Sequence, residues 1–307
     1  MNKPKIAVIG SLNMDIVIEA QRAPRMGETI LGQQAHFIPG GKGANQAVAS
    51  ARLGAHTSMI GSVGQDAFGK QLLASMQQEG IDCQTIKSVE QAATGIANIL
   101  LADGDNSIIV VPGANAYCTT EDIDKHEQAI ADADVVMLQL EIPLETVIYA
   151  AEKAKHLGKQ VILNPAPAQA LPDRLFAAID ILTPNETEVY QLAGFEIGEV
   201  ELQQAMQALQ SKGVQHVITT LGSKGAAFLD QSGQVEIVPA YKVEVVDTTG
   251  AGDSFNAGLA VAIGSGRRIP EAVVFASKVA ALAVTKMGAQ QGMPTLEQVE
   301  NFISKKG

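Results

Sequence analysis

The sequence predicts an α/β fold: a layered sandwich around a mostly parallel central sheet, with a small β-sheet added to it. Short Val/Ile/Leu-rich runs alternate with amphipathic helical stretches, the order expected when helices cover both faces of a parallel sheet. The runs are mostly continuously apolar, as strands buried on both faces require. Two stretches in the N-terminal third break this rhythm and read as strand pairs with no helix between them.

Taken in order, the candidate core strands are 5–10, 56–61, 135–140, 160–164, 179–183 and 216–221. The clearest helices, 44–53, 68–79 and 144–157, are followed by Gly54, Gly80 and Gly158, each at the position of a left-handed cap. The irregular pairs are 15–20 with 29–38, and 94–102 with 107–112 through a turn at Asp103-Gly104. They are expected to meet as a lid over the carboxyl ends of the core strands, where ligands bind in open α/β sheets. No repeat, low-complexity tract or linker interrupts the chain. Residues 1–307 are therefore expected as one domain, with the lid drawn from about 13–39 and 93–113.

Composition narrows the function. The 307 residues are 46% hydrophobic, ample for a buried core. With 33 acidic against 22 basic residues, the net charge of -11 repels a nucleic-acid backbone and an anionic membrane surface. Cys83 and Cys118 are too far apart for a CxxC pair and are expected as reduced thiols. Met1-Asn2-Lys3-Pro4-Lys5 leads into only five residues of strand-like sequence, Ile6-Ala7-Val8-Ile9-Gly10, and no segment approaches about 20 apolar residues. The expectation is a cytoplasmic protein.

The strongest motif is Val245-Val246-Asp247-Thr248-Thr249-Gly250-Ala251-Gly252-Asp253-Ser254-Phe255, read as a strand end feeding a glycine turn that opens a small-residue helix running to Gly264. Unpaired amides at a helix start sit at its positive end, so Gly250, Ala251 and Gly252 can form an anion hole with Asp253 in the same turn. The alternative is an ordinary capped helix start. In Pro39-Gly40-Gly41-Lys42-Gly43-Ala44-Asn45-Gln46, glycines allow close approach to the backbone and Asn45 offers a donor and an acceptor to a hydroxyl. A flexible turn with an exposed Lys42 is the other reading.

Asn13 and Asp15, two apart after the first strand, fall on one side, and Glu141 follows another apolar strand. A carboxylate there needs a polar partner or water. Thr183-Pro184-Asn185-Glu186-Thr187-Glu188 and Thr219-Thr220-Leu221-Gly222-Ser223-Lys224-Gly225 are candidate nucleotide loops. Asn185 and Glu188 suit either the waters of a magnesium ion or a capping box. Three near-motifs carry no chemistry. The segment from Gly64 to Gln71 lacks the final Ser or Thr of a P-loop, His126-Glu127 lacks a second His, and no GxGxxG follows a strand. Asn185-Glu186-Thr187 fits a glycosylation acceptor without any sign of secretion.

In this order and spacing, with Asn164-Pro165-Ala166-Pro167-Ala168 between them, the motifs resemble the ribokinase family of carbohydrate kinases from Ile6 to about Gly292. The resemblance implies a Rossmann-like α/β domain, a lid that closes over the sugar, and lids of two subunits clasped in a homodimer. It implies ATP-dependent phosphorylation of D-ribose at the 5-hydroxyl, giving ribose 5-phosphate and ADP.

Asn13, Met14, Asp15, Gly41, Lys42, Gly43, Ala44, Asn45, Glu141 and Asp253 would form the sugar site. Asn185, Thr220, Leu221, Gly222, Ser223, Lys224, Gly225 and Gly252 would line ATP, with Ser277 at the adenine pocket where relatives often carry Asn or His. Magnesium would arrive with ATP, near Asn185 and Glu188. Carbonyl oxygens at a later helix end, around Ala283, Lys286, Gly288 and Gly292, lie in segments that hold a monovalent cation, potassium above all, in relatives, together with Asp247 and the Thr249 carbonyl. The bland alternative there is a solvated loop closed by Asp247 on backbone amides.

Asp253 would take the sugar's proton, its pKa of about 3.9 held down by the helix terminus. A sister kinase acting on fructose, a sugar phosphate or a nucleoside is the near rival, and Asn13 with Asp15 favours a small unphosphorylated sugar. A non-catalytic sugar-binding protein is the distant one, and the intact turn at 250–253 argues against it.

Overall fold

A computed structural model of the chain describes residues 3–103 and 105–302. Met1 and Asn2 of the N-terminal reading, Gly104 of the expected turn and residues 303–307 lie outside the described residues. In chain order the strands are β1 (Lys5–Ile9), β2 (Asn13–Glu19), β3 (Gln34–Gly40), β4 (His56–Gly64), β5 (Ile86–Val89), β6 (Gly95–Ala102) and β7 (Asp105–Val111). They continue as β8 (Val135–Leu138), β9 (Gln160–Leu163), β10 (Ile181–Leu182), β11 (His216–Thr220), β12 (Ala226–Leu229) and β13 (Val235–Val238).

Nine strands form the large sheet in the order β13-β12-β11-β10-β9-β8-β1-β4-β5, parallel from β11 to β5 and closed at the other edge by the antiparallel β12 and β13. The continuously apolar runs are explained by its two covered faces. Ile6, Val8, Val135 and Met137 enter the core beneath the Lys42–Arg52, Ala251–Gly264 and Ile269–Ala283 helices. Their alternates Ala7, Ile9, Val136 and Leu138 enter the core beneath Leu144–His156, Glu186–Ala193 and Leu202–Ser211. Period-two alternation sends successive side chains to opposite faces, so both sets must be apolar.

β3-β2-β6-β7 form the separate small sheet. Its two antiparallel pairs are joined by parallel pairing of β2 with β6, from Asn13 opposite Gly95 to Glu19 opposite Leu101.

The sequence expectations hold for the sandwich and the small sheet, with four local differences. The first core helix starts at Lys42, two residues before 44, because Gly41 rather than a side chain caps it. The strand expected at 179–183 is paired only at Ile181–Leu182. The 29–38 strand begins at Gln34, after a loop containing Gly32. Val245-Val246 is not a strand end: Val246 and Asp247 lie outside both sheets and bond only the Val284 carbonyl through their amides, at 2.8 and 3.2 Å. Gly54, Gly80 and Gly158 take positive φ after their helices. The P-loop-like segment is a helix start, with Asp66 accepting from the Gly69 N–H at 2.8 Å. Cys83 and Cys118 are free thiols, and burial pushes them up to about 11 and about 12 respectively.

Candidate active site

Between the small sheet and the carboxyl ends of the core strands lies a cleft of about 590 Å³, lined by Asn13, Asp15, Gly41, Lys42, Asn45, Glu141, Thr249, Gly250 and Asp253 among others. Ile99, Ile108 and Val110 of the small sheet form its apolar side. The turn after β1 brings Asn13 and Asp15 to the start of β2, where period-two spacing turns both toward the cleft. Met14 between them is fully buried in the core, and Ala44 is buried likewise. Met14, Gly43 and Ala44 therefore contribute backbone position rather than contact.

The glycine cluster has a packing reason. A Cβ on Gly41, whose φ is +90°, would lie 2.7 Å from the Asn13 nitrogen, so only glycine lets the helix start seat against the β1–β2 corner. Ser11 ties that corner together: its hydroxyl donates to Glu141 Oε2 at 2.6 Å and accepts from the Gly43 N–H at 3.3 Å. Glu141 also accepts the Lys42 N–H at 3.1 Å, which gives this carboxylate the partners that burial demands.

Asp253 lies in the first turn of the Ala251–Gly264 helix and is 7% exposed. Asn45 donates to its Oδ2 at 3.0 Å and Gln46 to its Oδ1 at 3.1 Å. Burial raises its pKa, and Lys42, Asn45 and Gln46 pull the other way without cancelling that effect. The sequence expectation of a depressed value is thus corrected: desolvation of a buried carboxylate outweighs the helix terminus. A more basic carboxylate is the better proton acceptor.

Asp15 is pushed up to about 7 by burial first, then by Glu141 and Asp253, with Lys42 opposing. Burial pulls the Lys42 pKa down, but Asp253, Glu141, Glu188 and Asp15 outweigh it and the net direction is up. One ammonium thus serves four carboxylates, and Lys42 is half-buried rather than free.

Gly250, at φ +76°, precedes the helix without a side-chain cap, and a Cβ there would strike Ala289 at 2.9 Å. Of the three amides expected as an anion hole, that of Ala251 already donates to Thr248 at 3.2 Å. A Cβ on Gly252 would meet nothing within 4 Å, so the turn opens to solvent there.

The second set of residues stands apart from this cleft. Asn185 and Thr220 form an isolated parallel bridge beyond β10 and β11, and Gly222, Ser223 and Lys224 make a short exposed 3-10 turn. Leu221 is buried and Gly225 half-buried, while Ser277 is buried with no partner for its hydroxyl among the described residues. Asn185 and Glu188 form the capping box: Asn185 Oδ1 accepts from Thr187 and Glu188, and Glu188 Oε2 from Asn185. Asp247 closes its loop by accepting from Thr249 N at 2.9 Å, Thr249 Oγ1 at 2.7 Å and Gly288 N at 2.8 Å.

Sequence reasoning missed the amides behind the site. Asn115 accepts from Leu12 N at 2.9 Å and donates to Asn13 Oδ1 at 2.7 Å. Gln290 donates to Asn45 Oδ1 at 3.1 Å. Gln139 donates to Gln46 Oε1 at 2.7 Å. The available signal was a primary amide set among apolar neighbours, as in Val135–Leu138 followed by Gln139.

Residues 3–296 match the profile of the pfkB family carbohydrate kinases. The chain is 42% identical over 300 residues to a ribokinase of Haemophilus influenzae, covering 97% of this chain and 98% of that one. It is 41% identical over 299 residues to a ribokinase of Bacillus subtilis, covering 97% and 99%. Among solved structures, an Arabidopsis thaliana ribokinase complexed with ribose and ATP superposes with a TM-score of 0.90 at 36% identity, covering 98% of this chain and 100% of that one.

Proposed function

The chain belongs to the pfkB family of carbohydrate kinases, and from that premise we propose that it transfers the γ-phosphoryl group of ATP to the 5-hydroxyl of D-ribose, giving ribose 5-phosphate and ADP. The observation that carries this reading is Asp253: a buried, basic carboxylate gripped by two amides, in a cleft whose other polar groups suit a small polyol. Asn13, Asp15, Asn45 and Glu141 hold the sugar hydroxyls, and Asp253 orients the 5-hydroxyl and accepts its proton late in the transfer. The amides of Gly250 and Gly252, rather than the one at Ala251 that is already bonded to Thr248, would face the charge growing on the phosphoryl group. The apolar side of the small sheet excludes water, which competes with the sugar for that group. ATP lies along Asn185, Thr220, Gly222, Ser223, Gly225 and Gly252, with the adenine near Ser277.

The charge balance fits a divalent cation arriving with the nucleotide, since four carboxylates to one lysine repel a bare triphosphate. Glu188, with one oxygen in the capping box, would reach it through water, and the ion would neutralise the phosphates. For a monovalent cation the candidate groups are the Ala283 and Lys286 carbonyls, which lie so near Gly292 that a Cβ there would be 2.4 and 3.6 Å from them. With Asp247, Thr249 and Gly288 these groups would hold it and add fixed positive charge beside the turn at 250–252. Rate against potassium at constant ionic strength, with sodium as control and Asp247→Ala alongside, tests this; a rate indifferent to the cation removes the site.

The whole chain is read as one such domain, with the lid inserted at about 13–39 and 93–113. A homodimer through the lids is supported by Phe37, Ile109 and Val111, which do not line the cleft and are 48–66% exposed. No helix among the described residues is long and apolar enough to cross a membrane, in keeping with a cytoplasmic enzyme. The test of the function is ATP consumption with ribose, other pentoses, fructose and nucleosides, with Asp253→Ala as control. Ribose-dependent turnover lost in the control is expected; ATP hydrolysis without sugar phosphate overturns the reading.

A further inference from the structure

Gln46 and Gln139 are both 0% exposed, and burying two primary amides is costly unless their bonds are made. Gln46 has both ends of its amide bonded. Its nitrogen donates to Asp253 Oδ1 at 3.1 Å and to Asn164 Oδ1 at 3.3 Å, and its oxygen accepts from Gln139 Nε2 at 2.7 Å. The polarity of this chain starts at the carboxylate. An ionised Asp253 offers only acceptors, so Gln46 must present its NH2, its oxygen must face Gln139, and Gln139 must present NH2 in turn. The cost falls on the last link: Gln139 Oε1 is buried with no partner among the described residues. Room for that oxygen exists because residue 10 is glycine, where a Cβ would lie 1.9 Å from it.

We propose that Gln46, held in one orientation by Gln139, is a positioning residue that fixes the direction and the basicity of the Asp253 carboxylate. The inference rests on Asp253 being the proton acceptor of the proposed reaction. A donor to the ionised form favours that form, so loss of the Gln46 N–H makes Asp253 more basic and leaves one oxygen free to turn. The charged groups facing Asp253 from the packed elements are Lys42 and Glu141, with Asp15 across the cleft. None of them is altered by a change at 46 or 139, so a shift in its titration reports the lost donor.

The experiment is the pH dependence of kcat at saturating ribose and ATP for wild type, Gln46→Met, Gln139→Met and the double variant, with Asp253→Asn in parallel. Gln46→Met is expected to lose about tenfold or more in kcat with both KM values within about threefold, and its acid limb moves to higher pH. Gln139→Met shows the same two changes more weakly. The double variant matches Gln46→Met, because the second glutamine acts only through the first.

Wild-type turnover with an unmoved acid limb in Gln46→Met, a loss confined to thermal stability, or additive effects in the double variant would each overturn the proposal. Should Gln46→Met fail to fold, Gln139→Met, which does not touch Asp253, decides by the same readouts. An active Asp253→Asn removes the base assignment beneath the proposal. An inactive Asp253→Asn beside an unaffected Gln46→Met removes the positioning role alone.

Discussion

At the end of the cleft nearest β1 the polar groups are buried and bonded to one another, whereas those beyond β10 and β11 stand in solvent. Asn13, Asn45 and Asp253 are 2%, 6% and 7% exposed, and each has an amide partner. Asn185, Gly222, Ser223, Lys224 and Gly252 are exposed, and the ion pair there, Lys224 with Glu186 at 2.8 Å, is 66% and 48% exposed. A charge in the first region acts through little water and shifts its neighbours' pKa values. A charge in the second is hydrated and screened within about 8–10 Å. On the proposed reading, the sugar end is thus assembled in advance, while the nucleotide end would work through backbone and open loops.

Asp253→Asn strains this contrast most. Turnover is expected to fall at least about a hundredfold, the scale of a positioned general base, while ribose affinity measured by calorimetry changes far less. A loss below about fivefold would make Asp253 an ordinary helix residue. Next in size, Asn13→Ala and Asp15→Ala should each weaken ribose binding by about 1–3 kcal/mol by leaving hydroxyls or their partners unpaired, with ATP binding nearly unchanged. Equal damage to both ligands would point instead to misfolding at the β1–β2 corner.

The raised pKa of Asp15 gives a pH prediction for the ligand-free protein. Its proton is held more tightly folded than unfolded, so its stabilising contribution is complete below the ordinary aspartate value of 3.8 and is lost as pH rises through about 7. Thermal unfolding from pH 4 to 8 should show Asp15→Asn gaining on wild type by on the order of 2 kcal/mol. A constant difference across that range would mean that water reaches the carboxylate freely. The smallest effect belongs to the open side: Lys224→Ala should change the KM for ATP by less than about threefold, because an exposed ion pair contributes about 0–1 kcal/mol. A tenfold change would erase the distinction between the two regions.

What could be read from the chain follows the same division. Glycine turns and apolar runs report backbone and burial directly, so the parallel sheet, the small sheet and the turns at 40–45 and 250–253 were legible. The antiparallel β12 and β13 were not, since four-residue strands around the Asp230 to Gly233 turn carry too little pattern. Val245-Val246 misled because β-branched residues also occur in exposed irregular segments outside a sheet. The amide network was invisible because its partners are as far as 245 residues apart, as for Gln290 and Asn45, where spacing holds no information. The direction of the Asp253 shift escaped for a related reason: desolvation is a property of the packed fold.

Asn115 joins the two ends of the small sheet at one point. Its amide bonds both backbone groups of Leu12, where the chain enters β2, and it follows β7, where the chain leaves. Were the small sheet to act as a lid, this amide would be the post of the door, set beside the other strand ends at Gly40 and Gly95. Any swing of the sheet about that post leaves Asn13, bonded to the same amide, nearly stationary. Ile108, three residues along β7 from Val111, lies roughly 10 Å farther out at about 3.3 Å per residue, and travels the longer arc. The polar grip is therefore on the axis and the water seal is at the handle. On the proposed reading, a sugar would be selected while the door stands ajar, and sealed only once it is inside.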